Sequence, residues 1–442
     1  MRLRMLLASG AATLGLLGSC LSIAQAAEEP TSGPDVAVQA SQGTVPAPGD
    51  LDESSEELDD ELSEPVPEVP EDEVPSSLGD TPGDESTSED DVGNPDPMAA
   101  AENDRIRCTA KILAAKRDGS EELVPCVSFN STASAAELRA AVDAWPTPSW
   151  CDDHGANGQW YVNRFKACGV FAADLTVTNP RTGAVVGRMH YLTVAYAYSK
   201  RDIKTWAYQV QLLEVSSSGV AKGSSVGGKA TCAGKCKVTE SKFPSQLMGA
   251  SRDPVGQFFL DTTIKTSPKG QKGEGQASAV WQFTNPQWSG PTNSVALPTP
   301  PVRCDNALPG TSKTGCVMPY IPDMVYAKSG EFPELAKHIE YAQTTKNLPG
   351  KHGTKRYLTR LTNKDKITKN RNTACPSSLE RPAGKQCDEY PFASTWQGAS
   401  TGGDFSRRMI NATQNEDGGR ALSRFYLYNR IIEKDRFLVW IK

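Results

Sequence analysis

Long apolar runs are nearly absent from this 442-residue sequence. The one such run lies within residues 1–26, and nothing later approaches the roughly 20 apolar residues that a membrane-spanning helix needs. We therefore expect no stable membrane span after it. Basic side chains are missing from residues 27–104, which hold 25 Asp or Glu and are otherwise rich in Pro, Ser and Gly. Because such a segment cannot bury enough apolar surface to offset its ordering entropy, it is predicted to be a disordered acidic linker.

The N-terminal apolar run has the pattern of an export signal. Arg2 and Arg4 precede it, and Ala24-Gln25-Ala26 follows as a small-residue cleavage site. Residues 1–26 are therefore predicted to be a secretory signal peptide, and the protein is expected to be extracellular. The alternative is a lipoprotein anchored through Cys20, because Leu16-Leu17-Gly18-Ser19-Cys20 resembles an acylation site.

Cysteine usage fits an oxidising compartment. Without Cys20, ten cysteines remain, an even number that favours five disulfides. They fall in sequence-neighbouring pairs, which predicts the bridges Cys108–Cys126, Cys151–Cys168, Cys232–Cys236, Cys304–Cys316 and Cys375–Cys387, although spacing alone does not prove connectivity. No histidine or second pair lies near Cys232 and Cys236, which argues against a metal site there.

The net charge of −6 hides a basic half. Two of the 47 Lys and Arg lie in residues 1–26 and 25 of the 53 Asp and Glu lie in residues 27–104, so residues 105–442 hold 45 basic and 28 acidic side chains, a balance of +17. This excess predicts a polyanionic partner such as nucleic acid, cell-wall polymer or a membrane surface.

Residues 105–300 alternate apolar and polar side chains in short runs separated by Gly, Ser, Asn and Pro. That pattern predicts a β-rich, sandwich-like accessory domain with one helical piece beginning at Ser134. We find no convincing catalytic group in it, because Asp152-Asp153-His154 reads better as a polar loop, and its protein partner is not indicated.

From residue 301 the character changes. A short helix is predicted over residues 332–343, followed by a stretch from Lys346 to Lys385 that holds eleven Lys or Arg and only two acids. This stretch is either a solvated basic face or a surface that contacts phosphates.

An acidic pair follows directly, in 386-QCDEYPFAST. If this segment is extended, Asp388 and Glu389 face opposite sides, so only one of them can point directly at a given site. Asn415 lies near the start of a helix predicted over residues 418–432, and a strand closes the chain. Carboxylates and amide oxygens are ligands that Mg²⁺ or Mn²⁺ prefers.

The helix pattern places Asn429 on a buried stripe with Phe425 and Ile432. Its amide is expected to be structural rather than a metal ligand.

These segments, 386-QCDEYPFAST, 415-NEDGG and 422-LSRFYLYNRIIEKDRFLVWI, resemble the NucA/NucB family of secreted bacterial deoxyribonucleases. The resemblance implies a ββα-metal core, related to the His-Me finger nucleases but with an acid in place of their base histidine. It implies Asp388 as general base, Glu389 as a supporting or ligating group, and Asn415 as a ligand of the divalent metal. The four histidines, His154, His190, His338 and His352, are all far from the motif in sequence.

The predicted fold class is therefore α+β, with residues 301–442 as the ββα nuclease domain behind the β-rich domain and the linker. The predicted function is a secreted, divalent-metal-dependent, nonspecific endodeoxyribonuclease acting on DNA. The alternative is a non-catalytic extracellular protein that binds DNA or cell-wall polymer.

Overall fold

A computed structural model describes residues 97–130 and 158–442 of the chain. The predicted signal peptide, most of the linker, Cys151 and the helical piece after Ser134 lie outside these residues. Helix α1 (Pro97–Arg117) begins inside the segment predicted to be disordered. Its alanine-rich start favours helix, which corrects the predicted end of the linker by eight residues. Within the described residues, no helix is both long and apolar enough to cross a bilayer.

The described residues of the β-rich region form thirteen strands. In chain order they are β1 (Val124–Asn130), β2 (Trp160–Val162), β3 (Lys166–Thr178), β4 (Val185–Lys200), β5 (Ile203–Gly219), β6 (Ser225–Gly234), β7 (Cys236–Lys242), β8 (Gln246–Leu247), β9 (Val255–Thr262), β10 (Lys272–Thr284), β11 (Val295–Pro298), β12 (Val302–Asp305) and β13 (Gly315–Val317). They form an antiparallel seven-stranded sheet in the order β1-β3-β4-β5-β9-β7, with β2 beside β3, and a six-stranded sheet in the order β13-β12-β10-β6-β8, with β11 beside β10.

The two sheets share one core. The Trp281 indole of β10 meets the Phe129 ring of β1 at 5.8 Å between centroids, and the rings of Phe283 and Tyr191 lie 5.1 Å apart. The Tyr208 hydroxyl donates to the Leu297 carbonyl at 3.0 Å across the same interior. Alternating side chains from both sheets therefore supply the buried face that the sequence pattern predicts.

The C-terminal region is a separate mixed α/β core. Its elements are β14 (Asp323–Tyr326), α2 (Pro333–Thr344), β15 (Leu358–Thr359), α3 (Lys364–Ala374), β16 (Lys385–Tyr390), β17 (Ser406–Asn411), α4 (Ala412–Tyr428) and β18 (Arg436–Ile441). Strand β18 pairs with β14 in parallel and with β15 antiparallel, and β16 and β17 form an antiparallel hairpin. The described protein is thus of mixed α+β class.

The boundary between the two hydrophobic cores lies beyond residue 300, where the sequence pattern predicted it. Strands β12 and β13 lie beyond that predicted boundary yet pair with each other, and β12 pairs with β10. Buried side chains up to Met318 belong to the β-rich core, and those from Met324 onward belong to the C-terminal core. The Pro298–Pro301 segment therefore turns the chain within the second sheet and does not mark where the cores separate.

Four of the predicted disulfides are present: Cys108–Cys126, Cys232–Cys236, Cys304–Cys316 and Cys375–Cys387. The fifth predicted pairing involves Cys151, outside the described residues. The last bridge joins the end of α3 to β16, with 5.8 Å between its Cα atoms. It therefore fastens the strand that carries the acidic pair.

Three arginines connect the two cores. Arg164, in the turn after β2, donates to the Asn429 carbonyl at 2.7 Å and to Asp435 at 3.0 Å. Arg303 of β12 binds both oxygens of Asp435 at 2.5 and 2.6 Å. Arg430 is 1% exposed and donates from Nε to Asp305 at 3.0 Å. The link between α4 and β18 is therefore held by charge-assisted hydrogen bonds from the β-rich region.

Candidate active site

The β16–β17 hairpin carries the acidic motif and is enclosed by two helices. Asp388 lies opposite Arg408 in the ladder, and Glu389 lies opposite Arg407. The first turn of α2 is tied to the hairpin by Glu334, which binds the Lys385 ammonium at 2.8 Å and accepts from the Asn411 backbone N–H at 2.8 Å. Helix α4 starts directly after β17. The hairpin thus has a fixed position against α2 and α4.

Asp388 points toward α2 and is almost fully buried, at 6% exposure. Its Oδ2 lies 2.5 Å from Nδ1 of His338, and Nε2 of that ring lies 3.0 Å from the Ser406 hydroxyl. An ionised Asp388 requires the proton on Nδ1, which leaves Nε2 to accept from the hydroxyl. Burial raises the pKa of Asp388, and the hydrogen bond from His338 opposes that rise.

The contact with His338 corrects an interpretation made from the sequence, which found no histidine near the motif. His338 precedes Asp388 by fifty residues, and α2 brings the ring to the hairpin. It lies among Leu335, Ile339 and Ala342 on the buried face of that helix. A polar ring on an apolar helix face was the available signal, because a fully buried histidine needs a hydrogen-bond partner.

The order Ser406–His338–Asp388 has the hydrogen-bond pattern of a serine hydrolase triad. The His338 ring is 0% exposed, however, so it cannot pass a proton to the leaving group of a carbonyl substrate, as that triad requires. The array fits a different task. It fixes one carboxylate oxygen of Asp388 in place.

Glu389 points to the opposite side of β16. Its Oε2 lies 3.7 Å from the Cys375 sulfur, on the side of α3. Burial, and then the neighbouring Asp388 charge, raise the pKa of Glu389 to about 8, while the charge of Arg371 opposes the rise. Glu389 is therefore largely protonated at neutral pH in this environment. The two acids of the motif are separated by the strand, as alternation requires.

Asn415 lies on the Asp388 side of the hairpin. Its Nδ2 donates to Gln386 Oε1 at 3.1 Å, and Gln386 lies two residues from Asp388 on the same face of β16. The side chain of Glu416, which the sequence reasoning did not single out, accepts from Gln386 Nε2 at 2.5 Å. The fold therefore brings Asn415 to the same side as Asp388 and leaves Glu389 on the other side.

Helix α4 begins six residues earlier than the sequence pattern predicted. Asn411 is the N-cap and accepts from the Gln414 N–H at 3.1 Å. Gly418 and Gly419, interpreted from the sequence as the start of the helix, lie inside it. A Cβ on Gly418 would meet Leu335 of α2 at 2.2 Å, so the glycine allows α2 and α4 to approach closely.

The oxygen atoms near Asn415 suit a hard divalent cation by type. Asn415 and Gln386 offer amide oxygens and Glu416 a carboxylate, which are donors that Mg²⁺ and Mn²⁺ accept. In the part of the chain that the structure describes, no group of three or more His, Cys, Asp or Glu side chains is placed to hold a metal. The available donor set therefore consists mainly of amides with one carboxylate.

Asn429 is the C-cap residue of α4. Its Nδ2 donates to the Phe425 carbonyl of its own helix at 3.1 Å, and its backbone carbonyl accepts from Arg164. This supports the expectation of a structural amide, because the side chain bonds to its own helix end, at a carbonyl that also accepts from the Asn429 backbone N–H.

The arrangement is a buried acid on a strand, held by a histidine, next to a helix that presents oxygen donors in a basic region. Such groups can supply a base for an attacking water and oxygen ligands for a cation, both of which phosphodiester cleavage can use. A family model described as Deoxyribonuclease NucA/NucB matches residues 345–440, which confirms the resemblance predicted from the sequence for the C-terminal region. Among curated proteins, none matches the chain.

Proposed function

We propose that the protein is a secreted endodeoxyribonuclease that cleaves DNA without strong sequence preference and depends on a divalent metal ion. The family match over residues 345–440 is the observation that carries the proposal. The order β16, β17, α4 supports the ββα core expected for such an enzyme, because the acid and Asn415 come from the hairpin and the helix that follows it.

Asp388 is the proposed general base. The hydrogen bond to His338 leaves Oδ1 to take a proton from the attacking water, and 8% of the side chain remains exposed to meet it. Arg408, opposite Asp388 in the ladder, is exposed and lies over the Tyr341 ring at 4.9 Å. It is placed to neutralise charge on the phosphate close to that water.

Asn415, with Gln386 and Glu416, is the proposed place of the metal ion. When bound there, Mg²⁺ or Mn²⁺ would neutralise charge on the scissile phosphate and the leaving oxygen. Glu389 faces away from these donors, so its proposed role is to support the strand rather than to bind the metal directly. The bridge between Cys375 and Cys387 holds the same strand from the other side.

The direct test is cleavage of supercoiled plasmid by the purified full-length protein with Mn²⁺ or Mg²⁺. We expect nicking and linearisation that EDTA stops, and an Asp388→Asn variant that binds DNA but leaves it intact. Asp404→Asn, at an exposed acid in the loop before β17, is the matched control and should cleave normally. Intact plasmid with wild-type protein would overturn the proposal, and retained binding would then favour a non-catalytic polyanion-binding protein.

A further inference from the structure

Three separate segments of the C-terminal region meet on one surface. The backbone N–H of Trp396 donates to the Thr359 carbonyl at 2.9 Å, and the backbone N–H of Lys434 donates to the Arg360 carbonyl at 2.8 Å. Arg436 is the ladder partner of Thr359. We call the side chains that these contacts gather the Trp396 patch; it consists of Tyr357, Arg360, Lys366, Trp396, Lys434 and Arg436.

The cations of the patch are held over its aromatic rings. The ammonium groups of Lys366 and Lys434 lie 4.3 and 5.7 Å from the centroid of the Trp396 ring, and the Arg436 guanidinium lies 5.3 Å from that of Tyr357. Sharing one ring keeps the two ammonium groups within about 10 Å of each other, so both can lie against nearby phosphates of one strand of B-DNA. All three cations are exposed. The rings reduce the entropy that ordering these side chains on a ligand would cost.

Neighbouring acids form no ion pair with these cations, although the Glu433 carboxylate is close enough for the Lys434 charge to lower its pKa. The Glu433 carboxylate is held by the Thr362 N–H and hydroxyl, each at 2.7 Å, and by the Trp396 indole N–H at 2.7 Å. Asp435 is bound by arginines of the β-rich region. Among the residues that the structure describes, no carboxylate lies within ion-pair distance of Lys366, Lys434 or Arg436. The positive charge of the patch is therefore open to an external anion.

Lys434 also has a backbone conformation that costs energy. Its φ is 67°, in the left-handed region that residues other than glycine rarely adopt. The surrounding hydrogen bonds maintain it, and such conformations concentrate at binding and catalytic sites.

The patch is fixed relative to the candidate active site. The Asn370 side chain of α3 donates to the carbonyls of Ala393 and Thr395 at 2.8 and 3.2 Å, which holds the loop that runs from β16 to Trp396. Trp396 follows Asp388 by eight residues, so the two lie within about 29 Å of each other, even if the chain between them were extended. This largest separation equals the length of a duplex of about nine base pairs.

We propose that the Trp396 patch is a binding site for the phosphate backbone of duplex DNA, separate from the residues that cleave it. This inference rests on the proposed function for its choice of polyanion. Lys366 and Lys434 contact two phosphates of one strand, and Arg436 extends the positive track along β18. The contact is independent of base sequence, because every nucleotide presents the same phosphate.

The test measures the salt dependence of binding to a short duplex, in an Asp388→Asn background with EDTA, so that no cleavage occurs. The double variant Lys366→Gln/Lys434→Gln is compared with Lys222→Gln/Lys272→Gln, two exposed lysines of the β-rich region. A plot of log K against log salt has a negative slope, and each lost phosphate contact should reduce its magnitude by about 0.9. We expect the patch variant to lose close to two units of slope and the control variant to lose none.

An unchanged slope in the patch variant overturns the inference, and so does an equal loss in both variants, which would show diffuse attraction only. The plasmid assay of the wild-type protein stays separate. If the patch variant has a reduced slope and the wild-type protein leaves plasmid intact, the DNA-binding site is supported and the proposed nuclease function is rejected.

Discussion

The hydrogen bond between His338 and Asp388 predicts a specific change in pH dependence. His338→Leu removes both ring nitrogens at similar volume, so Asp388 keeps its burial but loses its donor. A hydrogen bond to a charged group contributes about 1.5 to 3 kcal/mol, and one pKa unit corresponds to roughly 1.4 kcal/mol. The ionised form of Asp388 therefore loses that stabilisation, and its pKa, already raised by burial, should rise further.

Since the base acts only when ionised, the acidic limb of the kcat/KM profile should move to higher pH. The assay is cleavage of a fluorescent duplex from pH 4 to pH 9, with folding checked by circular dichroism at each pH. His338→Asn keeps an amide donor close to the position of Nδ1 and should recover part of the shift. Ser406→Ala, which alters only the Nε2 side of the ring, should move the limb much less.

A folded His338→Leu protein with an unmoved acidic limb would refute this account of Asp388. The base would then lie elsewhere, or the histidine would serve only to fill space. Loss of activity at every pH, without a shift, would count against the account in the same way, because the predicted effect is recoverable by raising the pH.

Three further predictions concern stability and redox state. Burial raises the pKa of Glu389 from 4.5 to about 8. The protonated side chain therefore contributes to stability fully below about pH 4.5, and this contribution is lost as the pH rises through 8. In urea unfolding, Glu389→Gln should be more stable than wild type at pH 9, by on the order of 4 kcal/mol, but not at pH 4. Gly418→Ala should destabilise by roughly 1 to 2 kcal/mol, because its Cβ would overlap Leu335, whereas Gly419→Ala, with open space around it, should stabilise by up to about 1 kcal/mol in the same assay. Reduction of the Cys375–Cys387 bridge should lower plasmid cleavage and raise protease sensitivity near β16, and an unaffected cleavage rate after confirmed reduction would contradict the role of the bridge.

Local spacing was sufficient to predict much of the C-terminal region. The motif before Pro391 was compatible with a strand or a turn, and the structure has the strand, β16; β18 was predicted from the closing apolar run. The four described disulfides join cysteines that are close in sequence, as expected where short loops close easily. Helix α2 was predicted from its apolar periodicity, which acts over one or two turns.

Contacts between distant segments escaped the sequence reasoning. The pairing of His338 with Asp388 depends on how α2 packs against the hairpin, which no local pattern encodes. The start of α4 was misplaced because a Gly pair usually marks a helix end, whereas Gly418 serves the close approach of Leu335. The arginine network was invisible for the same reason, since Arg430 lies 125 residues from Asp305.

The arginine network indicates that the segment matched by the family model does not hold all of its stabilising contacts. Residues 345–440 omit His338, and they omit Arg164 and Arg303, which bind Asp435 and the carbonyls that end α4. A fragment cut to the boundaries of the family would leave Arg430 without Asp305 and Asp388 without its donor. The segment that the family model matches is therefore shorter than the segment that holds the site together. A fusion or chimera made to test the proposed activity should include the chain from the β-rich strands onward.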